Sequence, residues 1–337
     1  MYGKAFAPEY QGVLSEMSVN TDYRSVLETA KERERDARRT LAQSRLAMAE
    51  ACRRLGRLDE AESAWRGSYR AARDVPDEAA MAWALWSGGT LARQRGRLNL
   101  AVRWLSAARD LADRGGDRVA FGYSLAGVAE TLRIRGDHQE ARVLHVQLLD
   151  EAREQGACRH IVWALEGLAQ LDRNAGDLDA AWSGFDEAAR IAEDGGDERG
   201  LAWALRGQAD VLSLRGEHDE ALALLARGEQ ICRRMDLASA LAYNRKMRGN
   251  VLFRASWYGE AARTYRDAWE KFQAIEEPRG SALARLGLLK SLDRLGRPRR
   301  DTERELRELR DRLDGHELRH TKRMVEEALE ALASPVS

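Results

Sequence analysis

A six-residue phrase returns at a fixed interval along this chain, and that periodicity constrains the fold more than any other feature. Gly56-Arg57-Leu58-Asp59-Glu60-Ala61 recurs as Gly96-Arg97-Leu98-Asn99-Leu100-Ala101, Gly136-Asp137-His138-Gln139-Glu140-Ala141, Gly176-Asp177-Leu178-Asp179-Ala180-Ala181 and Gly216-Glu217-His218-Asp219-Glu220-Ala221, each 40 residues after the last. A sixth copy, Ser256-Trp257-Tyr258-Gly259-Glu260-Ala261, lacks the leading glycine, and a seventh beginning at Gly296 lacks the alanine. Units of this length bury their apolar sides only against their neighbours, so they stack into a solenoid whose end copies drift from the pattern.

The phrase reads as the junction of two helices. A glycine takes the left-handed conformation that ends one helix, and the acidic or amide residues after it sit where the positive end of the next helix begins. The alanine five residues on lets two helices approach closely, and four residues later a larger side chain follows: Trp65, Leu105, His145, Phe185, Leu225 or Tyr265. A second break falls at Gly116, Gly156 and Gly196, with Pro76 and Pro278 near it in other copies. Helix-turn-helix pairs of about 40 residues are therefore expected throughout.

In these features the chain resembles the tetratricopeptide repeat family, over roughly Asp36 to Leu313, in a variant longer than the family's usual period of about 34 residues. The resemblance implies an all-α, right-handed superhelical solenoid of about seven repeats, with the first helices lining a concave groove. Outside it, residues 1–20 read as an N-terminal arm and 315–337 as a C-terminal capping helix rich in solvating charge, leaving 21–314 as the solenoid. Thr21 to Arg35 reads as the second helix of an incomplete leading repeat, capped by Thr21.

Composition excludes several classes. Basic and acidic residues both number 55, so no global field draws in nucleic acid or an anionic membrane. Three scattered cysteines argue against a disulfide framework, and no apolar run is long enough for a signal peptide or a membrane span. A cytoplasmic protein is expected, and the excess of Arg over Lys points to a GC-rich bacterial genome.

The candidate site follows from helical angle. With the turn glycine placed at position 15 of each repeat, positions 4, 7, 8 and 11 share a core face that holds Leu85, Leu125, Leu165 and Leu205 beside Gly89, Ala129, Ala169 and Ala209. Positions 2, 5, 9, 12 and 13 form a separate stripe, which the resemblance places on the groove. Position 2 holds Trp83, Tyr123, Trp163, Trp203 and Tyr243; position 12 holds Arg93, Arg133 and Arg173, with Arg53 before them; position 9 includes Glu50, Glu130, Gln170, Asp210 and Asn250. Such a trough offers aromatic faces to apolar or cationic groups and arginine forks to carboxylate or phosphate. The competing assignment packs the rings between repeats and pairs Arg53 with Glu50 and Arg133 with Glu130 on the helix surface. Some family members clamp a terminal carboxylate with Lys and Asn on successive first helices; Lys246 and Asn250 match two such positions, but Gly287 stands where the next Asn is required.

Catalytic and metal-binding patterns are not found in the sequence, and no cofactor is expected. His138 and His218 replace a leucine of the repeat, and His145 fills the large-residue slot. Cys158 and His160 lack a second pair at zinc spacing, and His316 and His320 lack the acidic base of a metalloprotease helix. The sequence thus predicts a non-enzymatic scaffold or sensor that holds a peptide or protein segment in its groove. The alternatives are a small-molecule or enzymatic accessory site in the superhelix cavity, for which an enclosed pocket lined by Trp163, Trp203, Arg133 and Arg173 is the discriminating feature, and a homodimer in which one terminal helix fills the groove of a second copy.

Overall fold

The computed structural model describes residues 22–333, all of whose regular structure is helical. Seven helix pairs follow one another: α1 (Tyr23–Arg54) with α2 (Leu58–Asp74), α3 (Glu78–Gln94) with α4 (Leu98–Arg114), α5 (Arg118–Arg135) with α6 (His138–Gln155), α7 (Cys158–Ala175) with α8 (Leu178–Asp194), α9 (Glu198–Arg215) with α10 (His218–Arg234), α11 (Ala238–Arg254) with α12 (Tyr258–Ala274), and α13 (Pro278–Arg294) with α14 (Arg299–Leu313). A last helix, α15 (Arg319–Ala333), follows. The fold is an all-α tetratricopeptide-type solenoid. The expected arm, Met1 to Asn20, and the proposed cap Thr21 lie outside the described residues. Among the described residues no helix is long and apolar enough to cross a membrane.

The leading end differs from the expectation of a separate helix over 21–35. Residues 23–54 form one continuous helix capped by Asp22, whose carboxylate accepts from the Arg24 backbone N–H at 3.0 Å. No glycine or proline interrupts the segment, so nothing breaks the ladder where the repeat phase would have placed a turn.

Curvature follows from which helices touch. Each first helix packs against the next first helix as well as against its chain neighbours, from α1 with α3 through to α11 with α13. The second helices form no comparable row, so the first helices crowd the inside of the arc. Large residues of the second helices plug into small positions of the following first helix. A Cβ added at Gly167 would lie 2.1 Å from the His145 ring, and one at Gly207 would lie 2.3 Å from Phe185. Glycine inside a helix costs about 1 kcal/mol relative to alanine, and here that cost is offset by the close approach it permits.

The turn glycines take positive φ as the motif requires, Gly176 at +89° for example, and Ser256 holds the same region at +62° where the sixth copy lost its glycine. The side-chain caps, however, concentrate at the other turn. Asp77, Asp117, Asp197 and Glu277, in register with one another, accept from the backbone N–H three residues on at 2.6–3.1 Å.

The superhelix closes after about one turn. Gly56 and Gly96, at the turns of the first two repeats, abut Ile275 and Pro278, and Arg95 lies 3.9 Å from Glu276. The backbone N–H of Asn99 donates to Glu317, and Leu98 is buried with Leu286, Leu289, Leu306, Leu318 and Val325. Helix α15 therefore does more than solvate the end of the chain: its inner face joins the last repeats to the second and third.

Candidate functional site

The ring encloses a cavity of about 350 Å³ bordered by elements from both ends of the chain, from Arg53 and Arg54 at the end of α1 to Arg279 of α13 and Met324 of α15. Its walls are the inner faces of the first helices. Ten basic side chains line it against four carboxyls, Glu130, Glu166, Asp210 and Glu277. A chain with balanced charge overall thus concentrates positive charge at its centre.

Part of that charge is neutralised. Glu130 takes two bonds from Arg133, at 2.7 and 2.8 Å, and this pairing outweighs burial and holds its carboxyl down at about 2. Asp210 is nearly inaccessible and shared by Arg254 at 2.9 Å and Arg173 at 3.4 Å, which keep its carboxyl below the usual range against the effect of burial. Glu50, just outside the lining, pairs with Arg53 at 2.7 Å and also accepts from Ser87.

The remaining cations have no carboxylate partner among the described residues: Arg93, Arg199, Arg206, Lys246 and Arg279, from four different helices. Arg93 instead donates to the Gly127 carbonyl at 3.3 Å and Arg279 to the Tyr243 hydroxyl at 3.3 Å. Burial depresses three of the five. Arg199 falls to about 9, with Arg53, Arg54 and Arg159 adding repulsion; Arg93 falls to about 10 despite the attraction of Glu130. Lys246 falls to about 7, because burial and the nearby Arg279, Arg173 and Arg254 outweigh Asp210. Glu166 moves the other way. Burial pushes its carboxyl up to about 8, so it is largely protonated at neutral pH, and its Oε1 has no hydrogen-bond partner.

Aromatic rings hold three of these cations without neutralising them. The Arg199 guanidinium lies 5.0 Å from the Trp203 ring centre, Arg206 lies 5.8 Å from Trp203 and 5.7 Å from Tyr243, and Arg279 lies 5.9 Å from Tyr243. A guanidinium placed over a ring is fixed through its face, which leaves in-plane N–H groups able to donate elsewhere.

The position 2 rings therefore divide. Trp163, Trp203 and Tyr243 border the cavity, whereas Trp83 and Tyr123 do not: they stack with Trp86 and His160 between repeats, at centroid distances of 4.9–5.5 Å. One repeated contact organises the column. Trp83 Nε1 donates to Asp117 at 2.8 Å and the Tyr243 hydroxyl donates to Glu277 at 2.9 Å, each acceptor being the helix cap 34 residues further on. The same register from Trp203 reaches Leu237, which has no acceptor, and Trp203 Nε1 is left buried and unpartnered.

The other sequence-derived candidates fall in place around the same space: Arg93, Arg133, Arg173, Glu130, Asp210, Lys246 and Asn250 all line it. Asn250 is already engaged, accepting from the Tyr265 hydroxyl at 2.8 Å. Sequence reasoning missed Arg199 and Arg279, and left Arg206 and Glu166 unnamed at position 5. The signal existed: Arg159, Arg199 and Arg279 recur in repeat register four residues before the position 2 column, on the same helical face.

A solenoid of helix pairs with a basic inner wall around one cavity defines a repeat-built fold. Residues 161–234 match the tetratricopeptide repeat family model, and they lie within a solenoid of that architecture. None of the curated proteins matches it. Among solved structures it resembles a Rap protein complexed with competence and sporulation factor (13% identity, TM-score 0.55, 87% of this chain and 97% of that one). It also resembles the Rap conjugation gene regulator of plasmid pLS20 in complex with a Phr peptide (16%, 0.57, 86% and 75%) and NprR in complex with its cognate peptide NprX (14%, 0.56, 84% and 81%). At these identities the likeness is one of fold.

Proposed function

We propose that this protein is a non-enzymatic receptor or sensor that holds an acidic peptide or protein segment in the cavity of its superhelix. The observation that carries this reading is the inner wall, where Trp163, Trp203 and Tyr243 border one cavity with basic groups in excess of acidic ones. Preformed curvature and stacked arginines lower the ordering cost on the receptor side. The two neighbours in complex with peptides share the architecture and support a peptide as the class of guest.

A second reading has its own observation. The cavity lies near the lower end of the range for small-ligand sites, roughly 300–1,000 Å³, and its lining includes Trp163, Trp203, Arg133 and Arg173, with the ring closed around it. A small anionic molecule fits that enclosure without any extended segment.

Selection from a displayed library of 7–15-residue peptides tests the first reading. Acidic sequences are expected, with affinity reduced at least tenfold by Trp203→Ala or Arg206→Ala, both of which leave the Glu130 and Asp210 ion pairs intact. Binding indifferent to both substitutions, or a selection that yields no binder, would sink it.

A further inference from the structure

We infer that the guest delivers its negative charge as phosphoryl groups. This rests on the reading of the cavity as a binding site and goes beyond it by naming the chemistry recognised there.

The cavity concentrates more positive charge than its volume lets carboxylates answer. Five basic groups, Arg93, Arg199, Arg206, Lys246 and Arg279, border the cavity without a carboxylate partner among the described residues, and the remaining carboxyls are committed. Glu166 is buried at 5% exposure beside them. A terminal carboxylate answers one of these cations. Several acidic side chains could answer more, but each brings one charge with a residue's bulk, and the space is about 350 Å³. A phosphoryl group brings about 1.5 to 2 negative charges at neutral pH in one tetrahedral unit with three strong acceptor oxygens. It is the denser match.

The donors suit that unit. The guanidinium groups held over Trp203 and Tyr243 keep N–H forks that are not consumed by carboxylates. Two further polar atoms are left without partners beside them: the indole N–H of Trp203, whose register partner is Leu237, and Oε1 of the Glu166 carboxyl. An ionised carboxylate would repel an anion, but a protonated one donates to it. A phosphoryl oxygen is an acceptor for both, and its charge offsets the excess of basic over acidic groups in the wall.

The test uses the full chain, sodium pyrophosphate as probe, and citrate and sodium chloride at matched ionic strength as controls, read by thermal unfolding and by fluorescence of the cavity tryptophans. Pyrophosphate is expected to raise Tm by a few degrees at saturating concentration, with citrate giving less than half that shift. Arg199→Gln and Arg93→Gln each remove a half-buried cation that has no carboxylate partner among the described residues, so both should leave the ligand-free Tm little changed or raised while losing most of the pyrophosphate increment. A structural role would lower Tm in both conditions. An acetylated phosphoserine tripeptide run beside its serine and glutamate counterparts separates the sources: tighter binding than pyrophosphate assigns the group to a phosphorylated segment, and weaker binding assigns it to a free phosphorylated molecule.

No pyrophosphate shift beyond the salt control, an equal shift with citrate, or a full increment in both variants would overturn the inference. Acidic peptides that bind with no phosphoryl preference overturn it while leaving the receptor reading in place. Pyrophosphate binding in a protein that retains no peptide does the reverse.

Discussion

The outer and inner surfaces of the ring use the same residue, arginine, in opposite electrostatic settings. On the outside a ladder of pairs links successive repeats at a separation of 36 residues: Arg95 with Asp59, Arg114 with Glu78, Arg135 with Asn99, Arg215 with Asp179 and Arg234 with Glu198. The register is one repeat less one helical turn, and it is used at both kinds of turn: Arg95, Arg135 and Arg215 end first helices, while Arg114 and Arg234 end second helices. Inside, the acids run out before the bases do. Asp210 serves two arginines at once, and the cations around Trp203 and Tyr243 rest on aromatic faces. Solvent can stabilise an unpaired arginine on the outer surface, whereas the enclosed wall provides far less hydration, so the imbalance is costly only on the inner surface. The difference teaches that the outer pairs link neighbouring repeats, while the inner wall carries more basic groups than its carboxyls can pair.

The largest expected effect comes from deepening the deficit. Asp210→Asn keeps the size of the side chain and removes its charge, leaving Arg173 and Arg254 facing each other without a carboxylate. Loss of one partner from a buried ion pair costs about 3–5 kcal/mol, and the urea midpoint should fall accordingly. Adding Arg254→Met should recover part of that loss. A double variant no more stable than the single one would show that charge imbalance is not what limits the inner wall.

A smaller effect, but one with a defined pH signature, belongs to Glu166. Its folded carboxyl titrates at about 8 against 4.5 in an unfolded chain, so the folded state binds more protons across that window and stability falls as pH rises through it. Burial is the main cause, with Glu130 and Asp197 adding to it and Arg206 and Arg199 opposing. Glu166→Gln stays neutral, so the stability of wild type relative to this variant should decline between pH 4.5 and 8, by an amount on the order of a few kcal/mol. Lys246 acts in the opposite sense. Its folded value is depressed to about 7 from 10.5, so the unfolded chain binds more protons between these values and stability rises with pH there. Lys246→Met should remove that rise. Parallel pH profiles for wild type and Glu166→Gln would place the group in contact with water instead of in the dry wall.

These assignments also mark how far the sequence could be read. The helix pairs were legible because the Gly-to-Ala phrase fixes both ends of a turn, and the inner stripe was legible because 100° per residue separates Trp203 and Asp210 from Leu205 on the same helix. The closure was not. Contacts such as Gly56 with Ile275 depend on the small rotation between neighbouring repeats summed over the whole array, a quantity no local pattern encodes. Nor could spacing alone say whether Trp83 and Trp203 share a role, since the difference turns on the residue 34 positions later, Asp117 in one case and Leu237 in the other. The continuous α1 was misjudged by extending the repeat phase into a segment that lacks the glycines that enforce it.

The smallest effect provides the control for the comparison. Asp179 pairs with Arg215 at 2.5 Å in the outer ladder, but its side chain is 96% exposed and water replaces the arginine at little cost. Asp179→Ala should therefore change stability by less than about 1 kcal/mol, with the difference shrinking as salt is raised. Arg215 would remain stacked on Trp182, at 5.7 Å from the ring centre, so its position should survive the loss of its partner. That last point matters most: on both surfaces an aromatic ring would then be enough to seat a guanidinium, and only the supply of solvent would decide whether it needs an anion. A loss at Asp179 comparable to that at Asp210, insensitive to salt, would erase the distinction between the two surfaces.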